Sequence, residues 1–174
     1  GTAGGGGLTR IGSDNLIMAC AHIAHDCLVG SGTIFGNGAT LAGHVEVHDW
    51  ATVSAYSGVH QFCRVGTHAY TGGFTVATKD VLPFSKTVGK RAHIYGVNTI
   101  GLTRRGFSPE TIAAVKRAYR MLLEGGVAER ALPEIAVGDR RLRLAFVEQH
   151  AEPVGLALDL VLERFGERAR ALGR

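Results

Sequence analysis

Large apolar residues return at every sixth position through the first part of the chain. Ile11, Ile17, Ile23, Val29, Phe35, Leu41, Val47, Val53, Val59 and Val65 form an unbroken series of ten. Four residues after most of them stands a mostly small side chain: Ala21, Cys27, Thr33, Ala39, Val45, Ala51, Ser57, Cys63 and Ala69. Gly or Ala often follows the aliphatic residue directly, as at Gly12, Gly30, Gly36, Ala42 and Gly66. An amphipathic helix repeats near 3.6 residues and a half-buried strand near two, so neither explains this spacing. A period of six means one short strand and one corner per repeat. Three such sides close a triangular coil of eighteen residues, and residues 11–82 supply twelve hexads, or four coils. The aliphatic residue points into the prism, the small one packs beside it at the turn, and coils stack about 4.8 Å apart. Coil-to-coil pairing leaves open edges only at the two ends. Left-handed winding is what the hexapeptide class implies, against the usual right-handed preference of parallel crossovers.

The series decays at Thr71 and Ala77 and stops near Pro83. After a Gly-containing connection, Ser108 and Pro109 read as the N-cap and first position of a helix, with Glu110 in its first turn. Ile112, Val115, Tyr119 and Leu122 share one face of it, and Gly125-Gly126 ends it. A second helix is expected from about Pro153 to Leu172, and residues 127–150 between the two also read as helical. The expected fold is a left-handed parallel β-helix of hexapeptide repeats followed by a C-terminal helical domain. Residues 1–87 form a partial β-helix, and residues 88–174 the connecting segment and helices. Helices at that end would cover the last coil's edge, whereas the first coil has no such cover.

Composition sharpens this picture. Glycine supplies 25 of 174 residues and proline only 4, which fits a fold with many tight corners and argues against disorder. No run of about 18 apolar residues exists to span a membrane. The opening GTAGGGGLTR has neither a Met nor a signal-peptide pattern and reads as the edge of a cut fragment. Cys20, Cys27 and Cys63 form no CxxC pair, which points to a reducing, cytoplasmic setting. The net charge of +4 divides unevenly: residues 1–83 carry 3 Lys/Arg against 5 Asp/Glu, and residues 84–174 carry 16 against 10. A basic tail on a nearly uncharged body suits an acidic partner docking at the C-terminal end.

Six of the eight histidines fall in the prism: His22, His25, His44, His48, His60 and His68. Residues eighteen apart stack, so His25 should stand over Gly43, and Asp26 over His44, in adjacent coils. His25 lies two places after the inward Ile23 and should face outward. An imidazole, a neighbouring carboxylate and a glycine amide suit a general base, its orienting group and an oxyanion donor. Metal binding is the competing use, since His22 and His25 straddle a corner and the same prism hosts zinc-dependent carbonic anhydrases. Cys27 and Cys63, two coils apart in the small inward slot, read as core fillers.

At these residues the chain resembles the UDP-N-acetylglucosamine O-acyltransferase family of lipid A biosynthesis. The strings IGSDNLIMACAHIAHDC, ATLAGHVEV, VHQFCRVG, YGVN and GLTRRGFS run in the family's order and cover roughly residues 1–125. The resemblance implies transfer of a 3-hydroxyacyl chain from acyl carrier protein to the sugar 3-hydroxyl of UDP-N-acetylglucosamine, without metal or organic cofactor. It casts His25 as general base, Asp26 as its support and Gly43 as oxyanion donor. His22, His44, His60 and Gln61 would line the substrate cleft. Asn98, Arg104 and Arg105 would contact nucleotide phosphates or carrier protein, where guanidinium matches phosphate. Gly73 falls at the family's acyl-length position, and its missing side chain would favour a longer chain. A homotrimer with each site between two prisms is also implied. Family members carry further coils ahead of the GTAGGGG stretch, some of which contact nucleotide and acyl chain. The competing expectations are a zinc-dependent lyase of the carbonic anhydrase type and a non-catalytic truncated remnant.

Overall fold

The computed structural model describes residues 1–124. Among them the hexads become twelve two-residue strands. They are β1 (Arg10–Ile11), β2 (Leu16–Ile17), β3 (His22–Ile23), β4 (Leu28–Val29), β5 (Ile34–Phe35), β6 (Thr40–Leu41), β7 (Glu46–Val47), β8 (Thr52–Val53), β9 (Gly58–Val59), β10 (Arg64–Val65), β11 (Tyr70–Thr71) and β12 (Val76–Ala77). Every third strand joins the same parallel sheet: β1-β4-β7-β10, β2-β5-β8-β11 and β3-β6-β9-β12. Partners are eighteen residues apart, as in Arg10 with Leu28, Leu16 with Ile34 and His22 with Thr40. This is a parallel β-helix of about four coils, and the expected stacking holds.

The second residue of each strand points inward because a two-residue strand has one inner and one outer side chain. Phe35, Leu41, Val53 and Val65 are fully buried, and so are the small partners Cys27, Ala39, Val45 and Ala51. Together they form one continuous core along the prism. Thr71 and Ala77, where the apolar series fades, still point inward and are buried.

The corners follow a rule of their own. The third residue after each inward aliphatic takes a left-handed backbone: Asp14, Cys20, Asp26, Gly32, Gly38, His44, Trp50, Tyr56, Phe62, His68 and Phe74. That conformation costs a non-glycine residue about 1–2 kcal/mol. Two contacts offset it. The corner N–H donates to a carbonyl of the preceding coil, as from His44 to His25 at 3.0 Å. Aromatic corner residues also stack on one another, with ring centroids 5.2 Å apart for Tyr56–Phe74 and 4.7 Å for His44–Phe62. Such pairs contribute about 0.5–1.5 kcal/mol each.

The two ends differ. Strands β1, β2 and β3 are the open edge of each sheet, and the inward Ile11 and Ile17 remain 44% exposed there. At the other end, β13 (Ser85–Val88) pairs parallel to β11 and antiparallel to β14 (His93–Val97). This hairpin extends the second sheet to six strands. It lies outside the hexad series, and its inward residues Ser85 and Thr87 are polar, so no apolar period announces it. The hairpin is paired to the prism, and the first compact unit runs Gly1–Gly101; a second begins at Leu102.

A short helix, α1 (Thr99–Arg104), was not expected; six residues are too few to show a helical period. Asn98 caps it, its Oδ1 accepting the Gly101 N–H at 3.2 Å. Helix α2 (Pro109–Glu124) starts where Ser108-Pro109 predicts. The Ser108 hydroxyl accepts the Thr111 N–H at 3.2 Å, the expected N-cap contact. Ile112, Val115 and Tyr119 form its buried face, together with Ala118. The expected stop at Gly125-Gly126 and the helices expected over 127–150 and 153–172 lie outside the described residues. No helix among the described residues is long and apolar enough to cross a membrane.

Candidate active site

The chemistry gathers at the corner that follows the third sheet. Each coil contributes a pair there: His25 and Asp26 after β3, Gly43 and His44 after β6, Gln61 and Phe62 after β9. The imidazole of His25 stands on the outer wall, its side chain 50% exposed, while the Asp26 side chain beside it is 1% exposed. Asp26 Oδ2 accepts a hydrogen bond from His25 Nδ1 at 2.9 Å. An ionised carboxylate only accepts, so it selects the tautomer with the proton on Nδ1 and leaves the Nε2 lone pair outward.

Gly43 lies directly against this ring. A Cβ on Gly43 would fall 2.5 Å from His25 Cε1 and 2.7 Å from Nε2, so only glycine lets the imidazole lie where it does. Gly43 is buried, and its carbonyl accepts the Phe62 N–H at 3.2 Å. Its own N–H donates to no acceptor among the described residues. A sheltered, unspent amide beside a histidine Nε2 is what an oxyanion donor requires.

Asp26 is held from a second side by a segment that sequence reasoning passed over. The Thr2 N–H donates to Oδ1 at 3.1 Å and Oδ2 at 3.0 Å, and the Thr2 hydroxyl donates to Oδ2 at 2.7 Å. Behind Thr2, a 3-10 turn over Ala3–Gly5 brings Gly5 against the corner. A Cβ on Gly5 would sit 2.5 Å from both Asp26 Cγ and His44 Cε1. The Thr2 hydroxyl, then the His25 contact, the Thr2 amide and the nearby His44 keep the Asp26 carboxyl far below its ordinary range, against the opposing effect of burial. The only hint in the sequence was the density of glycine in GTAGGGG.

His44 completes the group. Its Nε2 is 4.0 Å from Asp26 Oδ2, its ring meets His25 edge-on at 5.2 Å, and Phe62 stacks on its other face. The ligand-type atoms of His25, Asp26 and His44 all lie within 4.8 Å of one another. His22, expected as a metal-ligand candidate with His25, is not part of this cluster. Asp26 Oδ2 already takes donors from Thr2 and from His25 Nδ1, so an ion would have to displace that network.

The other expected residues distribute as follows. His22 is exposed on β3, paired in register with Thr40. His60 and Gln61 are exposed one coil beyond Gly43, and His60 Nδ1 lies 3.2 Å from the Gln61 carbonyl oxygen. Gly73 is exposed at a different corner, the one following β11, where a Cβ would meet only the Ala55 carbonyl oxygen at 3.5 Å. Asn98 is engaged within the fold: its Nδ2 donates to the His68 carbonyl at 3.0 Å and its Oδ1 caps α1. Arg104 ends α1 and Arg105 follows it, both in the second compact unit; Arg104 is exposed, and Arg105 is half-buried, which lowers its pKa. Cys27 and Cys63 are buried core fillers as expected, with burial pushing the Cys63 thiol up to about 11.

Known proteins match most of this chain. Residues 80–156 match the family model described as UDP N-acetylglucosamine O-acyltransferase, domain 2, beyond the quoted strings, which end near residue 125. Residues 8–43 match the bacterial transferase hexapeptide model of six repeats. An acyl-[acyl-carrier-protein]–UDP-N-acetylglucosamine O-acyltransferase from Thiobacillus denitrificans is 52% identical over 137 residues, 78% of this chain and 53% of that protein. The protein of the same name from Xylella fastidiosa is 47% identical over 164 residues, 88% of this chain and 61% of that protein. Among solved structures, the Francisella novicida UDP-N-acetylglucosamine acyltransferase superposes with a TM-score of 0.76 at 36% identity, covering 96% of this chain and 55% of that one. The chain thus spans about half the length of the curated relatives it matches.

Proposed function

We propose that the chain belongs to the UDP-N-acetylglucosamine O-acyltransferase family, and that the corner following its third sheet carries out acyl transfer from acyl carrier protein to UDP-N-acetylglucosamine. His25 Nε2 takes the proton of the sugar 3-hydroxyl as its oxygen attacks the thioester carbonyl of the 3-hydroxyacyl donor. The tetrahedral oxyanion accepts a hydrogen bond from the Gly43 N–H. Collapse breaks the carbon–sulfur bond, and the imidazolium returns its proton to the departing carrier-protein thiolate, giving the ester and the free thiol. Asp26 holds the ring and stabilises its charged form during the exchange. The observation that carries this reading is the His25 ring seated against a glycine that could bear no Cβ, with Nδ1 turned to Asp26.

His22, His44, His60 and Gln61 are assigned to the cleft for the sugar nucleotide. Asn98, Arg104 and Arg105 are assigned to its phosphates or to the carrier protein, although the Asn98 amide already serves the fold. Acyl carrier protein is the acidic partner that the basic residues of 84–174 suit. The working form proposed is a cytoplasmic homotrimer with no metal.

His25→Ala, assayed in the protein as its gene encodes it with 3-hydroxyacyl carrier protein and UDP-N-acetylglucosamine, should lose about 10²–10⁴-fold in kcat, the usual contribution of a general base. Its mass by light scattering should match the wild type. Near-normal turnover would remove His25 from the base role. Sugar-nucleotide binding by the wild-type chain with no turnover at all would instead make it a non-catalytic remnant.

A further inference from the structure

We propose that Thr2 is a positioning residue of this centre: its hydroxyl and amide, backed by the turn through Gly5, clamp the Asp26 carboxylate so that Oδ2 faces His25 Nδ1 and Nε2 is left bare. The proposal deepens the acyl-transfer reading and rests on His25 as its base.

Three donor contacts from one residue converge on Asp26, at 2.7, 3.0 and 3.1 Å. A carboxylate bound only to His25 would be free to swing toward His44, whose Nε2 is 4.0 Å away. His25 would then lose the acceptor that fixes its tautomer, since imidazole tautomers follow the partner of the other nitrogen. The Thr2 clamp, which holds both carboxylate oxygens, opposes that swing. Asp26 is fixed at its backbone as well: its N–H donates to the Thr9 hydroxyl at 2.9 Å. Thr2 and Thr9 therefore hold side chain and main chain of the same residue.

Gly5 sets how close the clamp can come. Nothing but hydrogen fits on its α-carbon, with Asp26 Cγ and His44 Cε1 each 2.5 Å from where a Cβ would be. Gly4 has open space around the same position. The two neighbouring glycines therefore differ in purpose, and only Gly5 is required by contact with the corner.

The test uses this chain and two readouts that need no turnover. The ring ¹⁵N shifts of His25 report its tautomer, and the ¹³Cγ shift of Asp26 reports its titration. In Thr2→Val the hydroxyl goes and the amide stays. The Asp26 midpoint should rise toward the ordinary 3.8, and His25 should change from a single Nδ1–H tautomer to a mixture. Thr2→Ser should restore both. Gly5→Ala keeps every donor but pushes the clamp off the corner, and should disturb the same two signals. Where turnover is measured, kcat of Thr2→Val should fall about tenfold with KM within about twofold, a fraction of the loss of a general base itself. Unchanged His25 and Asp26 signals in Thr2→Val would overturn the proposal, and so would failure of Thr2→Ser to restore them. Changed signals in Thr2→Val, together with a wild-type chain that shows no turnover, would uphold the clamp and sink the acyl-transfer reading instead.

Discussion

Replacing Gly43 by alanine strikes the proposed centre at its tightest contact. The new Cβ would lie 2.5 Å from His25 Cε1 and 2.7 Å from Nε2. Carbon atoms settle about 3.5–4.0 Å apart, so the ring must retreat by about 1 Å or more. The backbone takes no share of the strain, because Gly43 lies outside the positive-φ set, and the equivalent place in other hexads holds Ala19, Asn37 and Ala55. The ring is half exposed and can yield outward, so folding should lose only the His25–Asp26 bond or a rotamer, about 0.5–3 kcal/mol. Activity should lose more. A misplacement of about 1 Å at a reacting group costs about 10²-fold, or roughly 2.7 kcal/mol of barrier. Steady-state acyl transfer and thermal unfolding of Gly43→Ala, His25→Ala and the double variant measure this. With the ring gone the alanine has room, so the double variant should be no slower than His25→Ala alone. Gly43→Ala within about threefold of the wild type would refute the reasoning, and so would losses that multiply in the double variant.

Thiol labelling should separate the cysteines: the native chain should react at the exposed Cys20, and all three thiols should react only after unfolding. Two carboxylates should give opposite pH trends in urea unfolding. Asp26 titrates below its ordinary value in the fold, so its contribution is present at neutral pH and lost as pH falls, and the cost of Asp26→Asn should shrink below about pH 4. Burial raises the Asp80 pKa, so its protonated form favours folding at low pH and that stability is lost as pH rises; Asp80→Asn should therefore help more at about pH 7 than at about pH 4.

Most of the prism was legible because its two inward positions obey simple hydrophobic bookkeeping every six residues. Phe35, Leu41 and Val53 are large, apolar and fully buried, with Ala39, Val45 and Ala51 beside them. The His25–Gly43 contact followed from the same period, since stacking is arithmetic once the coil length is known. The left-handed corners were not legible. Only Gly32 and Gly38 carry the residue expected there, and Trp50, Tyr56, Phe62 and Phe74 hide the rule, because stacking between coils offsets their strain. Thr2 was missed because it belongs to no repeat and reaches Asp26 across 24 positions of sequence. The β13–β14 hairpin escaped because its buried residues are Ser85 and Thr87.

Gly43 and Gly73 occupy the same place in their repeats, each two residues after an inward one, yet the fold asks different things of them. Gly43 must lack a side chain because His25 fills the space. Gly73 is exposed, has no positive φ, and a Cβ there would make only ordinary contact with the Ala55 carbonyl oxygen at 3.5 Å. No contact among the described residues requires a glycine at residue 73. We propose that it serves the acyl-length position that the family resemblance implies. Gly73→Leu should unfold within about 0.5 kcal/mol of the wild type, as a surface substitution does. It should also lower kcat/KM for a long 3-hydroxyacyl donor against one four carbons shorter. With about 0.8 kcal/mol for each buried methylene, excluding the last two alone would shift that ratio by more than tenfold. A destabilised prism with unchanged donor preference would show that this glycine serves the coil and not the acyl chain.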